Sequence, residues 1–391
     1  MAKKKNEQIE QNNESASQDI LANILKENKD DHYNFVTEAK EIKVSTGSLI
    51  FDSQVGGGIS AGGLIRCVGV NEGGKTSESL EMMRNYLRTV PKAKGLLVKA
   101  EGRLSKEMQI RSGVKFVWSP DEWEDGTCFV LETNIYDIVI SLIRQLVMDN
   151  PNDNKYYFLL DSMDGLILKS DMAKDVTEAG KVAGAPALTK KFMQRLAISM
   201  NKLGHTCNMI GQVSAKVQID PYAPKDNRQI ASTGGNAALH FSNWIFQFEP
   251  RFNGDLILEN PKDRPDPIKN KILGHWCKIT IKKSTNESTN MSIKYPIKYG
   301  RTGGQSIWKE YEIIDVLTMF GLIDKRGAWM NLHPSLIEEA AKSNIEIVEQ
   351  HQGMPKLQKY LEDNKEVTDW LFERLKKTII SENNGNEVSE I

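Results

Sequence analysis

Leu64-Ile65-Arg66-Cys67-Val68-Gly69, followed directly by Val70-Asn71-Glu72-Gly73-Gly74-Lys75-Thr76, decides how this chain is read. The first six residues form an apolar run of strand length, and Ser77 to Val90 beyond them reads as a helix. Gly69 to Thr76 matches G-x-x-x-x-G-K-[ST] in full, in the strand–loop–helix setting that gives the pattern its meaning. The chemistry explains the spelling. Glycines let the backbone curl until its N–H groups face phosphate oxygens, and the helix N-terminus adds positive potential. Lys75 can reach β- and γ-phosphates, and the Thr76 hydroxyl can ligate Mg²⁺. The expected nucleotide contacts are Gly69, Val70, Asn71, Glu72, Gly73, Gly74, Lys75, Thr76 and Ser77.

Outward from this loop, apolar runs alternate with helical stretches. Strands are expected at Gly95 to Ala100, Tyr156 to Leu160 and Thr206 to Gly211, and helices at Ile135 to Met148 and Leu188 to Leu203. Trp244 to Phe248 and Cys277 to Ile281 look like further strands without long helices between them. This order predicts an α/β fold with a mostly parallel sheet and an antiparallel extension at one edge. Tyr156 to Leu160 ends in Asp161-Ser162, the place for an acid that supports Mg²⁺. Glu101 follows the strand ending at Ala100, so it is expected at the carboxyl edge of the sheet, where a carboxylate can polarise water.

Residues 1–17 are polar and are read as a disordered arm. Residues 18–42 are read as an N-terminal oligomerisation segment, with Ile20-Leu21 and Ile24-Leu25 at helical spacing. From Lys43 the pattern alternates through Val44, Thr46 and Leu49-Ile50-Phe51. The core is expected over 43–330, with a small α-rich C-terminal domain over 331–380 from helices at Pro334 to Ser343 and Pro355 to Ile380, broken near Asn364. Residues 381–391 read as a disordered tail.

The net charge of −1 over 391 residues excludes a global basic field, so any nucleic-acid contact must come from local patches and loops. Cys67, Cys128, Cys207 and Cys277 lie far apart, without C-x-x-C or a zinc pattern, and are expected as reduced thiols. No apolar run approaches the roughly 18–20 residues that span a bilayer, and the N-terminal lysines have no apolar stretch behind them, so a cytoplasmic protein without a membrane partner is expected.

Taken together the motifs resemble the RecA family of recombinases, and more particularly its diverged bacteriophage forms, over Lys43 to Leu332. Val44 to Asp52 is similar to the family's segment before the phosphate loop, and Asp161-Ser162 matches its magnesium-supporting strand end. By this resemblance Glu101 takes the place of the catalytic glutamate. Ile210-Gly211-Gln212 resembles the strand end whose glutamine senses the γ-phosphate and opens a second DNA-binding loop, from Val213 to Ser232. That loop closes on Ser232-Thr233-Gly234-Gly235-Asn236-Ala237, and Lys169 to Pro186 corresponds to the first loop. Arg326 to Trp329 resembles the end of the family's core, and Pro355 to Leu361 its C-terminal helical unit. Candidate DNA contacts are Lys174, Lys181, Lys216, Val217, Ile219, Tyr222, Arg228, Gly234, Gly235 and Asn236.

The resemblance implies a RecA-like ATPase using ATP and Mg²⁺, assembled head to tail into filaments on single-stranded DNA. It implies pairing with homologous duplex DNA, with single-strand-binding and mediator proteins as further partners. Catalytic roles fall to Lys75, Glu101, Gln212 and Lys283. The sequence departs from the family in three places. Val70-Asn71-Glu72 replaces the usual Pro-Glu-Ser style of loop, Met108 stands near the adenine-stacking aromatic, and the second trans-acting cation, after Lys282 or Lys283, gives way to Thr285. That last change keeps a weakly hydrolysing mediator open as an alternative. A hexameric helicase-type motor is the other, disfavoured by the short N-terminal arm.

Overall fold

A computed structural model describes residues 17–24, 26–27, 42–172, 184–214, 231–232 and 240–383. The strands are β1 (Lys43–Val44), β2 (Ile59–Ser60), β3 (Gly63–Gly69), β4 (Ala93–Lys99), β5 (Lys115–Val117), β6 (Thr127–Glu132), β7 (Lys155–Asp161), β8 (Thr206–Ser214), β9 (Ala231–Ser232), β10 (Trp244–Phe248), β11 (Leu256–Leu258), β12 (Ile272–Lys283), β13 (Ser292–Lys298), β14 (Ile323–Arg326), β15 (Trp329–Leu332) and β16 (Gln350–Gln352). Between them lie α1 (Leu49–Gln54), α2 (Lys75–Thr89), α3 (Lys106–Ser112), α4 (Tyr136–Met148), α5 (Lys169–Met172), α6 (Gly184–Leu203), α7 (Lys309–Met319), α8 (Pro334–Lys342), α9 (Gly353–Asp363) and α10 (Lys365–Asn383).

The main sheet runs β11-β12-β10-β3-β8-β7-β4-β6-β5. Neighbours are parallel from β10 through β5, and β12 pairs antiparallel with β10, β11 and β13. The central strands carry apolar residues at consecutive positions because both faces are covered; β3 is buried along its whole length. On one face α2 packs Leu80, Met83, Tyr86 and Leu87 against Cys67, Leu97 and Leu159. On the other, α4 and α6 pack Val139, Ile143, Phe192 and Leu196 against Leu96, Phe158 and Met209. The expected α/β fold with a mostly parallel sheet and an antiparallel edge is what forms.

Two stretches differ from the sequence reading. Leu49–Gln54 is a helix, not a continued alternation; the Ser48 hydroxyl caps it by accepting from the Phe51 N–H at 3.1 Å. The strands β14–β16 form a small antiparallel sheet amid the C-terminal helices, and a separate apolar cluster gathers α7 (Ile313, Ile314, Leu317) with Leu336, Leu357, Leu371 and Leu375. The described residues at the ends of the two proposed loops are in regular structure, and those between lie outside the described residues. Lys169–Met172 and the start of α6 at Gly184 are helical, and Val213 and Ser214 pair antiparallel with Ser232 and Ala231. Ser17 to Ile24 is helical as expected, with Ile20, Leu21 and Ile24 exposed. Among the described residues no helix is long and apolar enough to cross a membrane.

Candidate nucleotide-binding site

Parallel strands align their carboxyl ends, and register decides which residues meet there. Gly69 pairs with Gln212 on one side and with Phe248 on the other. Two strands further, Lys99 pairs with Asp161. A cavity of about 620 Å³ opens on this edge. It is lined by Lys75, Thr76, Lys99, Glu101, Asp161, Ser162 and Gln212, and also by Met108, Arg111, His275, Tyr299 and Gly300.

The phosphate loop is shaped by two glycines in particular. Gly69 lies so close to β10 that a Cβ there would collide with the Phe248 carbonyl oxygen. Gly74 caps α2 with φ 98°, a left-handed backbone that L side chains rarely adopt. The loop folds over the Lys75 ammonium, which donates to the carbonyls of Gly69 (2.9 Å) and Val70 (2.6 Å). Burial pushes Lys75 below the usual lysine range, and the Asp161 carboxylate pulls the other way.

Asp161 ends β7 between two partners. Its Oδ2 lies 3.4 Å from the Thr76 hydroxyl, which donates to it, and 2.6 Å from the Lys99 ammonium. The next peptide, Asp161–Ser162, is cis, and the Ser162 hydroxyl donates to Glu101 Oε1. Thr76 and Asp161 fit Mg²⁺, which takes one or two protein oxygens and completes its shell with water and substrate phosphate. No cluster of three or more His, Cys, Asp or Glu side chains suited to a metal occurs among the described residues.

The structure thus brings Lys75, Thr76, Asp161, Glu101 and Gln212 to one cavity. Lys283 is not among them. It pairs with Ile245, three residues before Phe248, and its amine donates to the His240 carbonyl at 2.7 Å. Lys174, Lys181, Lys216, Val217, Ile219, Tyr222, Arg228, Gly234, Gly235 and Asn236 lie outside the described residues.

Several site residues escaped the sequence reading. Lys99 was legible in principle, as the last residue of a strand ending at the same edge. Asp164 was not, since it acts across space: its Oδ2 accepts from the Gln212 N–H at 2.5 Å. Arg66, buried on β3, faces the Asp164 charge; burial lowers its pKa and Asp164 opposes that. Also on the cavity wall, Arg111 donates to the Ser77 hydroxyl at 3.2 Å, and Arg251 donates to the Tyr299 hydroxyl at 3.0 Å. His275 packs against Tyr299 with ring centroids 5.4 Å apart, and burial first and Arg251 second push its pKa down to about 4.

No family model matches the chain. Curated relatives do. Protein RecA of Rickettsia bellii (strain RML369-C) is 25% identical over 334 residues, covering 83% of this chain and 81% of that protein. Protein RecA of Campylobacter fetus subsp. fetus (strain 82-40) is 24% identical over 340 residues, covering 85% and 83%. That of Desulforapulum autotrophicum is 25% identical over 300 residues, covering 74% and 75%. The core is RecA-like. These matches support a RecA-family protein, and the RecA-like core presents its phosphate loop, acid and glutamate at the sheet edge where open α/β folds bind ligands.

Proposed function

We propose that this chain is an ATP-dependent DNA recombinase of the bacteriophage type within the RecA family. The observation that carries the reading is the convergence of Lys75, Thr76, Asp161, Glu101 and Gln212 on one cavity. Lys75 and the loop N–H groups hold the β- and γ-phosphates, and Thr76 with Asp161 holds Mg²⁺, which when bound neutralises charge on the phosphate oxygens. Glu101, steadied by Ser162, orients water toward the γ-phosphate. Gln212 stands at the mouth and leads into the 213–232 segment, the proposed second DNA-contacting loop. The part of the cavity lined by Met108, His275 and Tyr299 takes the adenosine.

In this reading single-stranded DNA is the first partner and homologous duplex DNA the second, and copies of the chain assemble head to tail through residues 18–42. Residues 43–330 act as the ATPase core and 331–380 as an accessory domain, in the cytoplasm of the cell that makes the protein. Lys283 serves the nucleotide of an adjacent copy. A second reading, a mediator that binds ATP and hydrolyses little, rests on Thr285 in place of a second cation.

ATP hydrolysis by the purified chain with and without single-stranded DNA separates the two. Strong stimulation that Lys75→Ala abolishes, followed by strand exchange between homologous DNAs, supports the recombinase. DNA-dependent ATP binding without turnover overturns it in favour of the mediator.

A further inference from the structure

The wall at the adenosine end of the cavity is a hairpin. β13 and the residue after it deliver Ile297, Lys298 and Tyr299 to it, and the chain returns through Ser306, Ile307 and Trp308. The stems are tied by Lys298 N–H to the Ser306 carbonyl (2.8 Å), Trp308 N–H to the Pro296 carbonyl (2.8 Å) and a bridge between Ile297 and Ile307. Its tip docks on α3, with the N–H groups of Gly303 and Gly304 donating to the carbonyls of Ile110 and Arg111 at 2.8 Å each. Moving this hairpin therefore moves Tyr299 and the end of α3 together, and both line the cavity.

One carboxylate from elsewhere in the chain holds the hairpin at three points. Glu362, on α9 among the C-terminal helices, receives the Lys298 ammonium at 2.5 Å, the Trp308 indole N–H at 2.9 Å and the Arg301 guanidinium at 3.4 Å, all on Oε1. Arg301 also pairs with Glu310 at 2.9 Å, and the Lys298 ammonium lies 4.7 Å from the centre of the Trp308 ring. The side chains of Glu362 and Arg301 are 24% and 17% exposed, so the contact is sheltered enough for its charge to matter. Without Glu362, the stems keep their backbone hydrogen bonds, but Lys298 and Trp308 lose the carboxylate that ties them to α9.

We infer that Glu362 is a positioning residue for the bound nucleoside triphosphate, making the C-terminal helices part of the nucleotide grip although none of their residues lines the cavity. This rests on the nucleotide-site reading above. Glu362 acts on the nucleoside end through Lys298, Tyr299 and Gly300, and leaves the phosphate loop untouched. The grip is selective: it bears on a ligand with a base and ribose, and not on a bare chain of phosphates.

The test is equilibrium binding to the full-length chain of Mg-ATP and of Mg-tripolyphosphate, which carries the phosphates alone. Glu362→Ala is expected to weaken ATP roughly tenfold, within the usual range of coupling between sites, and to leave tripolyphosphate within about twofold. Glu362→Gln keeps an oxygen for the Trp308 N–H but loses the charge, and is expected to fall between Glu362→Ala and the unaltered chain. If Glu362→Ala unfolds, Glu362→Gln carries the test alone. Unchanged ATP affinity in a folded variant overturns the proposal, as does equal weakening of ATP and tripolyphosphate. Lys75→Ala, measured alongside, should lose both ligands. If it keeps both, the nucleotide-site reading fails, whatever Glu362 does.

Discussion

Glu101 is exposed at the end of β4, with one oxygen taken by the Ser162 hydroxyl and a second that can accept from water. Lys75 and Thr76 instead belong to the loop that grips phosphate. Binding and hydrolysis should therefore separate by mutation. Glu101→Gln is expected to lower turnover by roughly 10²–10³-fold while ATP affinity stays within about twofold. Single-turnover hydrolysis and a nucleotide titration check this, and retained turnover would mean that another group orients the water. These residues could be read from sequence because each belongs to a local pattern: a loop spelled by glycines, or an acid at the end of an apolar run. Asp164 and Arg66 have no such pattern. Asp164 matters because β7 and β8 are neighbours, which brings its carboxylate to the Gln212 N–H from 48 positions away.

At the scale of elements, most of the sheet was legible because strands buried on both faces spell themselves as continuous apolar runs. The segment from Leu49 to Gln54 was misread for a physical reason: it is stabilised as a helix by partners far along the chain. Glu312 of α7 receives the Ser48 hydroxyl and accepts from the Leu49 N–H at 3.0 Å, and the Asp52 carboxylate accepts from the Thr46 N–H at 2.7 Å. Burial, the largest effect, raises Glu312 to about 8, against an ordinary 4.5. Such a group contributes its stability in full below about pH 4.5 and loses it as pH rises toward 8, because the unfolded chain gives up the proton first. Glu312→Gln should therefore gain on the unaltered chain with rising pH, by a few kcal/mol between pH 5 and 8. Asp52, Glu78 and Glu81 are also raised by burial, so the informative quantity is the difference between the two urea-unfolding curves at each pH. A difference that stays constant with pH would show that Glu312 is ionised in the folded chain.

At the scale of the molecule, the sheet separates two pieces of proposed ATPase machinery. Ile245, the partner of Lys283, pairs with Arg66, and Phe248 pairs with Gly69, so Lys283 sits about 10 Å down the strands from the phosphate-loop edge. Lys283 does not line its own chain's cavity, so its proposed role at a phosphate puts that phosphate in another copy, through a head-to-tail contact in which each subunit offers its cavity to one neighbour and Lys283 to the other. The helix at Ser17 to Ile24, with Ile20, Leu21 and Ile24 exposed, has the apolar face that such a contact would cover. The arrangement has a consequence in mixed assemblies. Lys283→Ala keeps its phosphate loop and Lys75→Ala keeps its trans lysine, and each alone should lack DNA-stimulated turnover. Mixed in equal amounts before DNA is added, random head-to-tail assembly places an intact cavity beside an intact Lys283 at roughly a quarter of the interfaces. DNA-stimulated ATP turnover should recover to about that fraction of the unaltered chain's rate, against near zero for either variant alone. If the mixture stays inactive although both variants assemble on DNA, Lys283 does not act across the interface; full turnover by Lys283→Ala alone would instead assign the chemistry to the residues around Glu101 within one chain.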